Sequence, residues 1–151
     1  MDLEKYSLQV NNDHRSYEFY SEGPKGRIRK VVLYKQLKNW DENIFNLGFG
    51  DWDEKEQKIN DKITSNNKDR QKILATVAAT VVDFTRHYPK ATIYAEGATP
   101  SRTRLYQMSI SAFWAEISEL FDTYGFRNGK WEPFETGRNY DAFVVIRKEK
   151  L

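Results

Sequence analysis

The sequence predicts an α+β fold, in which a largely antiparallel, twisted sheet of six to eight strands is covered on one face by two main helices. Two observations lead to this prediction. The first half of the chain alternates large apolar residues with polar or small ones, as strands require, whereas a helical period of about 3.6 begins only at Asp69. Strand patterns return after each helical segment, which favours helices packed on one face of the sheet. Since 151 residues suit one hydrophobic core, we expect a single domain spanning residues 1–151.

A hairpin opens the predicted sheet. Tyr17, Phe19 and Ser21 alternate with residues of the opposite face, and Gly-Pro-Lys-Gly at 23–26 supplies turn residues. The following segment, 27–37, is rich in β-branched and aromatic side chains, which favour strands.

Charge is unevenly distributed in this part of the chain. Lysine and arginine number 24 against 22 for aspartate and glutamate, and the net charge of +2 is too balanced to imply a nucleic-acid partner by itself. Residues 23–40 carry six basic side chains and no acidic one, whereas residues 41–56 are mainly acidic. Two interpretations follow: the segments pair their opposite charges across neighbouring strands, or the basic segment forms a surface that faces a ligand.

The next strands follow the same alternation. One strand places three large apolar side chains on one face and small residues on the other; the three are Phe45, Leu47 and Phe49. A polar turn then leads to a weaker strand at 57–64, where Ile59 and Ile63 are the main apolar residues.

The first helix is predicted to begin at Asp69 and to end before Pro89. Its apolar residues recur on one stripe, as a helix covering a core requires: Ile73, Val77, Val81, Phe84 and Tyr88. We expect Asn66 or Asn67 to cap its N-terminus, because asparagine side chains accept hydrogen bonds from the first free N–H groups.

A short strand at 91–96 and a second helix follow. The helix is predicted from Pro100 to Gly125, with a kink or a break at Ser-Ile-Ser, 109–111. Two further strands, around Trp131 and at 140–147, close the sheet.

The start of the second helix carries the most informative residues. Thr99 is a good N-cap, Pro100 suits the first helical position, and Ser101 adds a hydroxyl beside the free N–H groups. Arg102 and Arg104 then lie at the positive end of the helix dipole, where carboxylates are preferred. This conflict indicates an anion nearby, either a carboxylate of the fold or a bound phosphate or nucleic-acid backbone.

Several chemistries are excluded because their minimal residues are missing. The absence of cysteine excludes disulfides, thiol nucleophiles and cysteine-ligated zinc. There is no Walker phosphate loop, dinucleotide fingerprint, serine elbow or HExxH pair. Of the two histidines, His14 and His87, we expect the second to interact with a helix C-terminus rather than to act as a base. Asp-Trp-Asp at 51–53 lacks the remaining ligands of a calcium loop, so no metal site and no cofactor are predicted.

The N-terminal residues bear on localisation. Residues 1–10 include charged side chains and no apolar signal-peptide core, and no run approaches the roughly 20 apolar residues of a membrane span. We therefore expect a cytoplasmic protein with no membrane partner.

Aromatic residues make up 15% of the chain and allow two interpretations. Tyr17, Tyr20, Tyr34 and Trp40 are either core residues packed under helices or exposed platforms on which nucleic-acid bases stack. Tyr106 either packs with its apolar neighbours or points its hydroxyl at the anion site.

Several motifs resemble a family of bacterial proteins catalogued as a domain of unknown function. They are Ser-Glu-Gly-Pro-Lys-Gly-Arg-Ile at 21–28, Phe-Gly-Asp-Trp-Asp at 49–53, the helical segment 69–80, the segment 97–107 and Trp-Glu-Pro-Phe at 131–134. The resemblance spans the whole chain. It implies a bacterial cytosolic origin and transfers no catalytic residue.

The order of elements in the second half also resembles that of acetyl-coenzyme A dependent N-acetyltransferases. In that family a Gln/Arg-x-x-Gly-x-Gly/Ala turn opens the long helix and binds the pyrophosphate, and residues 70–75 take its place here. Ile73 stands where the first glycine would be, and its β-branched side chain obstructs the close backbone approach of the cofactor. Under this resemblance Tyr106 would be the general acid.

These observations favour a non-enzymatic binding module. Its anion site is expected to combine the helix start at 99–104 with Arg27 and Arg29 of the basic hairpin, and to bind nucleic acid or a phosphorylated small molecule. The alternatives are an acyltransferase-like enzyme with a degenerate cofactor site, and a protein-interaction module that binds a partner or a second copy through exposed aromatic residues.

Overall fold

The computed structural model describes residues 4–60 and 66–149, and within them nine strands and three helices form the predicted α+β fold. The elements are β1 (Gln9–Val10), β2 (Ser16–Gly23), β3 (Gly26–Gln36), β4 (Ile44–Asp53), β5 (Lys58–Asn60), α1 (Arg70–His87), β6 (Thr92–Ala95), α2 (Pro100–Ala112), α3 (Trp114–Leu120), β7 (Phe121–Arg127), β8 (Lys130–Pro133) and β9 (Ala142–Arg147). No helix in the described part of the chain has the length and apolar character needed to cross a bilayer.

The strands form one open sheet in the order β1-β2-β3-β4-β6-β9-β7-β8, with β5 paired to β4. Every strand pair found in the described residues is antiparallel except β4 with β6, which run parallel from Ile44 beside Thr92 to Asn46 beside Tyr94. A parallel pair cannot be joined by a tight turn, and α1 lies within the connection that brings the chain from β4 to β6.

One face of the sheet, here called the inner face, packs against the helices. Successive strands contribute mostly aromatic side chains to it, and the buried members are Tyr17, Phe19, Val32, Tyr34, Phe45, Leu47, Phe49, Ile93 and Phe143. The ring of Tyr34 stacks on Phe84 of α1 with centroids 4.1 Å apart. The core interpretation of Tyr17 and Tyr34 is therefore confirmed, whereas Trp40 lies on the opposite, outer side with 64% of its surface exposed.

Helix α1 is confirmed with nearly the predicted bounds, but its predicted cap is wrong. The N-cap position is Asp69, whose side chain forms no capping bond. Asn67 is buried instead: its amide donates to Ser21 Oγ (3.0 Å) and to the Gly26 carbonyl (2.9 Å) and accepts from the Lys25 N–H (2.7 Å). A Cβ on Gly23 would lie 2.0 Å from the Asn67 carbonyl oxygen, so this contact requires glycine in the hairpin.

The predicted helix from Pro100 to Gly125 is wrong in its second half. Helix α2 ends at Ala112, α3 follows after a break at Phe113, and the chain becomes β7 at Phe121. Phe121 and Tyr124 are spaced as on one face of a helix, but the segment is a strand. It forms β7 because it pairs with β9 over six residues. Ser109 does not break the helix, because its hydroxyl donates to the Leu74 carbonyl of α1 (3.1 Å).

The remaining strands agree with expectation in outline. The hairpin, β4, β6 and the strand at 142–147 are confirmed, and the strand near Trp131 is β8. The weaker strand predicted at 57–64 is confirmed over Lys58–Asn60, which forms β5. The rest of that prediction, including Ile63, lies outside the described residues.

We predict that Asn67→Ala lowers the free energy of unfolding by about 3 kcal/mol, because it removes three hydrogen bonds and leaves buried polar groups without partners. Urea denaturation measures this loss. Asn66→Ala is the matched control: Asn66 is exposed, and within the described residues its side chain accepts a single local bond, from the Lys68 N–H, so the loss should stay below about 1 kcal/mol. Equal effects of the two substitutions would contradict the role given to Asn67.

Candidate functional site

A cleft opens where β4 and β6 stop pairing. Beyond Asn46 and Tyr94 the two parallel strands are no longer paired: β4 continues to Asp53, whereas the chain after β6 turns into α2. Two helix N-termini border this opening: α2 follows β6 directly, whereas β5 lies between β4 and α1 in the chain. Crevices at the carboxyl ends of parallel strands are common ligand sites in open sheets.

This α1–α2 cleft has a volume of about 220 Å³. Its walls contain three cationic side chains, Lys30, Arg70 and Arg102, and one carboxylate, Asp69. Phe49, Ile73 and Leu105 provide apolar surface, and Asn66 and Asn67 also line the cleft. Among the residues that the structure describes, basic side chains therefore outnumber acidic ones in its walls.

Arg102, like Lys30, is almost fully buried. Only 5% of its surface is exposed, and its guanidinium carbon lies 5.0 Å from the ring centroid of Phe49. The predicted cap holds the helix start, since Thr99 Oγ1 accepts from the Arg102 N–H (3.2 Å). A Cβ on Gly97 would lie 2.3 Å from the Thr103 nitrogen, so the segment before α2 packs directly on the backbone of its first turn.

Both helix N-termini at the cleft are electropositive. The first turns of α1 and α2 contain no acidic residue, and each contains arginine: Arg70 in α1, Arg102 and Arg104 in α2. Arg70 and Arg104 are exposed, and neither forms an ion pair with any residue that the structure describes. Basic side chains at this end of a helix oppose the dipole, and an anion beside the start of α1 would be stabilised both by the dipole and by Arg70.

The acidic groups near the cleft are already engaged. Lys30, which is 3% exposed, forms a buried ion pair with Asp51 of the neighbouring strand. Asp69 Oδ2 accepts from Tyr6 Oη (2.6 Å) and Ser21 Oγ (2.5 Å). Burial and the bond to Asp69 raise the pKa of Tyr6, so its phenol remains a donor.

The structure does not bring Arg27 and Arg29 to this cleft. Side chains along β3 alternate between the two faces of the sheet. Since Lys30 lies on the inner face, Arg27 and Arg29, three residues and one residue before it, lie on the outer face. Arg27 stacks on Tyr20, with its guanidinium carbon 4.0 Å from the ring centroid. Arg29 forms ion pairs with Glu18 (2.8 Å) and Glu54 (3.2 Å), and its bond to Glu18 holds the pKa of that carboxyl below its usual value.

The opposite charges of the first half thus pair within the sheet at two positions. Lys30 with Asp51 and Arg29 with Glu54 each join the basic segment to the acidic one. This confirms charge pairing across the strands at both positions, one on the inner face and one on the outer face.

The other predicted site residues divide between the surface and the core. Ser101 and Arg104 are exposed at the start of α2. Tyr106 is only 5% exposed and lines an apolar cavity of about 50 Å³ beside Val77 and Phe143. Tyr106 therefore belongs to the core rather than to the cleft.

Sequence reasoning missed Lys30 and Arg70 as cleft residues. Lys30 carried a signal, because it continues the inner-face alternation of Val32 and Tyr34 and places a charge at a core position. Arg70 carried the same signal as Arg102, a basic side chain at the positive end of a helix dipole, but the sequence does not show that the two helix starts lie beside each other.

Comparison with known proteins gives one match. A family model described as a family of unknown function (DUF6934) matches residues 2–148. No curated protein and no solved structure matches the chain. The resemblance to a family of unknown function is confirmed, and the resemblance to N-acetyltransferases is not.

We predict that Gly97→Ala lowers the free energy of unfolding by about 1–3 kcal/mol, because its methyl group would overlap the backbone of α2. Gly48→Ala is the matched control, since a Cβ there would meet only the Leu33 carbonyl oxygen at an ordinary distance of 3.8 Å. Chemical denaturation of both variants tests this. If the two variants are equally stable, Gly97 does not hold the start of α2.

Proposed function

We propose that this chain, which belongs to the DUF6934 family of unknown function, binds the phosphate groups of a small molecule in the α1–α2 cleft. The observation that carries the proposal is that the N-termini of α1 and α2 meet at one cleft, which Arg70 and Arg102 line. The first turns of both helices contain no acidic residue. We propose a binding module rather than an enzyme, because the cleft presents no free general base or nucleophile among the described residues.

Each cation has a distinct part in the proposed site. Arg70 lies at the exposed rim, where its planar guanidinium can form paired hydrogen bonds to phosphate oxygens. Arg102 contributes its charge from within the wall, and the first-turn N–H groups of α1 can donate to a phosphate because no side chain caps them. Arg104 is exposed on α2 two residues after Arg102 and does not line the cleft, so it is not part of the proposed site.

A small molecule suits this site better than a nucleic acid. The cleft volume of about 220 Å³ admits phosphate groups, whereas nucleic acids require an extended basic surface. The basic hairpin does not extend the cleft, because Arg29 is paired with acidic residues on the outer face.

The acyltransferase alternative has one observation in its favour. The divergence of parallel strands β4 and β6 beside the N-terminus of α1 provides an opening for an extended phosphorylated cofactor. Two residues count against catalysis: Ile73 occupies the wall of the cleft where a glycine would admit the cofactor, and Tyr106 is buried in the core. Acetyl-coenzyme A therefore belongs among the tested ligands.

The protein-interaction alternative is favoured by the outer face of the sheet, which no helix covers in the described part of the chain. A groove of about 410 Å³ lies there between Trp40 and Trp131, with Tyr94 at its base. These tryptophans are 64% and 45% exposed, respectively, which is unusual for such large apolar side chains. Sedimentation at increasing protein concentration tests self-association through this groove.

We predict that millimolar pyrophosphate raises the melting temperature, by roughly 5–10 °C at a hundred times its Kd, because a ligand that binds only the folded state stabilises it. The increase should shrink with added salt, since exposed charges are screened. Differential scanning fluorimetry with pyrophosphate and with acetyl-coenzyme A measures both effects. A larger increase with acetyl-coenzyme A would favour the acyltransferase alternative.

The matched variants are Arg70→Gln, at the cleft, and Arg86→Gln, an exposed arginine in the last turn of the same helix. Arg70→Gln should reduce the pyrophosphate-dependent increase by at least half, and Arg86→Gln should leave it unchanged. A wild-type response in the Arg70 variant, or no response to pyrophosphate in the wild type, would exclude the cleft as a phosphate site.

A further inference from the structure

The two histidines of the chain meet at the C-terminal end of α1, at the opposite end of the helix from the cleft. The imidazole rings of His14 and His87 are stacked with their centroids 3.6 Å apart and their planes 15° apart. Asp83 lies beside both rings: its Oδ2 is 3.1 Å from His14 Nδ1 and 3.8 Å from His87 Nδ1. Two imidazoles and a carboxylate thus share one small volume.

Two elements hold these groups together. Asp83 and His87 are separated by one turn at the end of α1, so their side chains lie on the same face of the helix. His14 lies in the turn before β2 with a left-handed backbone (φ 56°), and its N–H donates to the Asn11 carbonyl (3.1 Å). Residues other than glycine seldom adopt a left-handed backbone. His14 adopts it in the turn that places its imidazole ring beside Asp83 and His87 of α1.

We propose that His14, Asp83 and His87 bind a divalent transition-metal ion, with zinc as the expected ion. One ligand atom from each residue lies within 4.8 Å of the others. Ligands at about 2.1 Å from zinc are roughly 3.4 Å apart in a tetrahedron, so small side-chain rotations bring the three atoms to bonding positions. Imidazole with carboxylate is a donor set that suits zinc and its neighbours rather than magnesium or calcium.

The surrounding hydrogen bonds resemble those that orient metal ligands. Tyr17 Oη donates to Asp83 Oδ2 (2.7 Å), which fixes the direction of the carboxylate. His87 Nδ1 lies 2.9 Å from the Asp83 carbonyl oxygen. When Nδ1–H donates to that carbonyl, the Nε2 lone pair is available for a metal. The rings stack with centroids 3.6 Å apart, so rotation of one or both imidazoles turns their in-plane lone pairs toward a common ion.

Solvent can complete the coordination. The exposed side-chain fractions of His14, Asp83 and His87 are 34%, 28% and 40%, which leaves space for water on the open side. Three protein ligands with an open position are the arrangement of zinc sites that also bind a water or a substrate group.

The test uses the full chain after treatment with a chelator and its removal. Isothermal titration with ZnCl₂ should give one site, and MgCl₂ should give none. His87→Gln and His14→Asn each remove one ligand and should weaken zinc binding by about a hundredfold, while Tyr17→Phe, which keeps all three ligands, should weaken it by about tenfold. Asparagine is chosen at position 14 because it tolerates the left-handed backbone.

The matched control is Asp13→Asn, which removes an exposed carboxylate beside His14 that accepts only from a local N–H. It should leave zinc affinity unchanged. Circular dichroism without metal confirms that each variant is folded, and the His87 and His14 variants provide independent tests should one of them unfold. Absence of zinc binding by the wild type at millimolar metal, or wild-type zinc affinity in both histidine variants, would overturn the proposal.

Discussion

The short parallel contact between β4 and β6 determines most of the architecture. Because the two strands run in the same direction, the chain must return across the sheet between them, and α1 lies along that return. Because they pair over only three residues, the sheet opens beyond Asn46, and the N-termini of α1 and α2 lie on either side of the opening. The cleft is therefore a consequence of strand direction and divergence, and its charge comes from the residues that begin the two helices.

The inner face of the sheet has two chemically different regions. Toward the middle it is aromatic: Tyr34 and Phe45 of the sheet contact Phe84 of α1. Toward the hairpin it is polar, with Ser21, Lys30 and Asn67 all less than 4% exposed. Buried polar groups are stable only when they are hydrogen-bonded or paired, and here the hairpin, β4 and the start of α1 supply the partners. The same network that joins these elements therefore forms the floor of the cleft.

Local patterns were sufficient for most elements and insufficient for the site. The alternation of Phe45, Leu47 and Phe49 and the apolar stripe of α1 predicted β4 and the first helix, because each pattern is repeated several times. The helical spacing of Phe121 and Tyr124 predicted a helix wrongly, because this segment forms β7 through its pairing with β9, which lies far away in the sequence. Arg29 and Lys30 are neighbours in sequence but lie on opposite faces of the sheet, because side chains alternate along β3. The contact between His14 and His87 depends on tertiary structure and has no local signal.

The strands at the two margins of the sheet affect how the molecule behaves among its copies. At one margin β1 has two residues, and at the other β8 has four and ends at Pro133, which lacks an N–H group. Margins this short offer few free backbone groups to a strand of another molecule, so end-to-end growth of the sheet into fibrils is disfavoured. The margins of the sheet are thus poor templates for adding a strand, while its outer face, where Trp40 and Trp131 are exposed, stays open to contacts made through side chains.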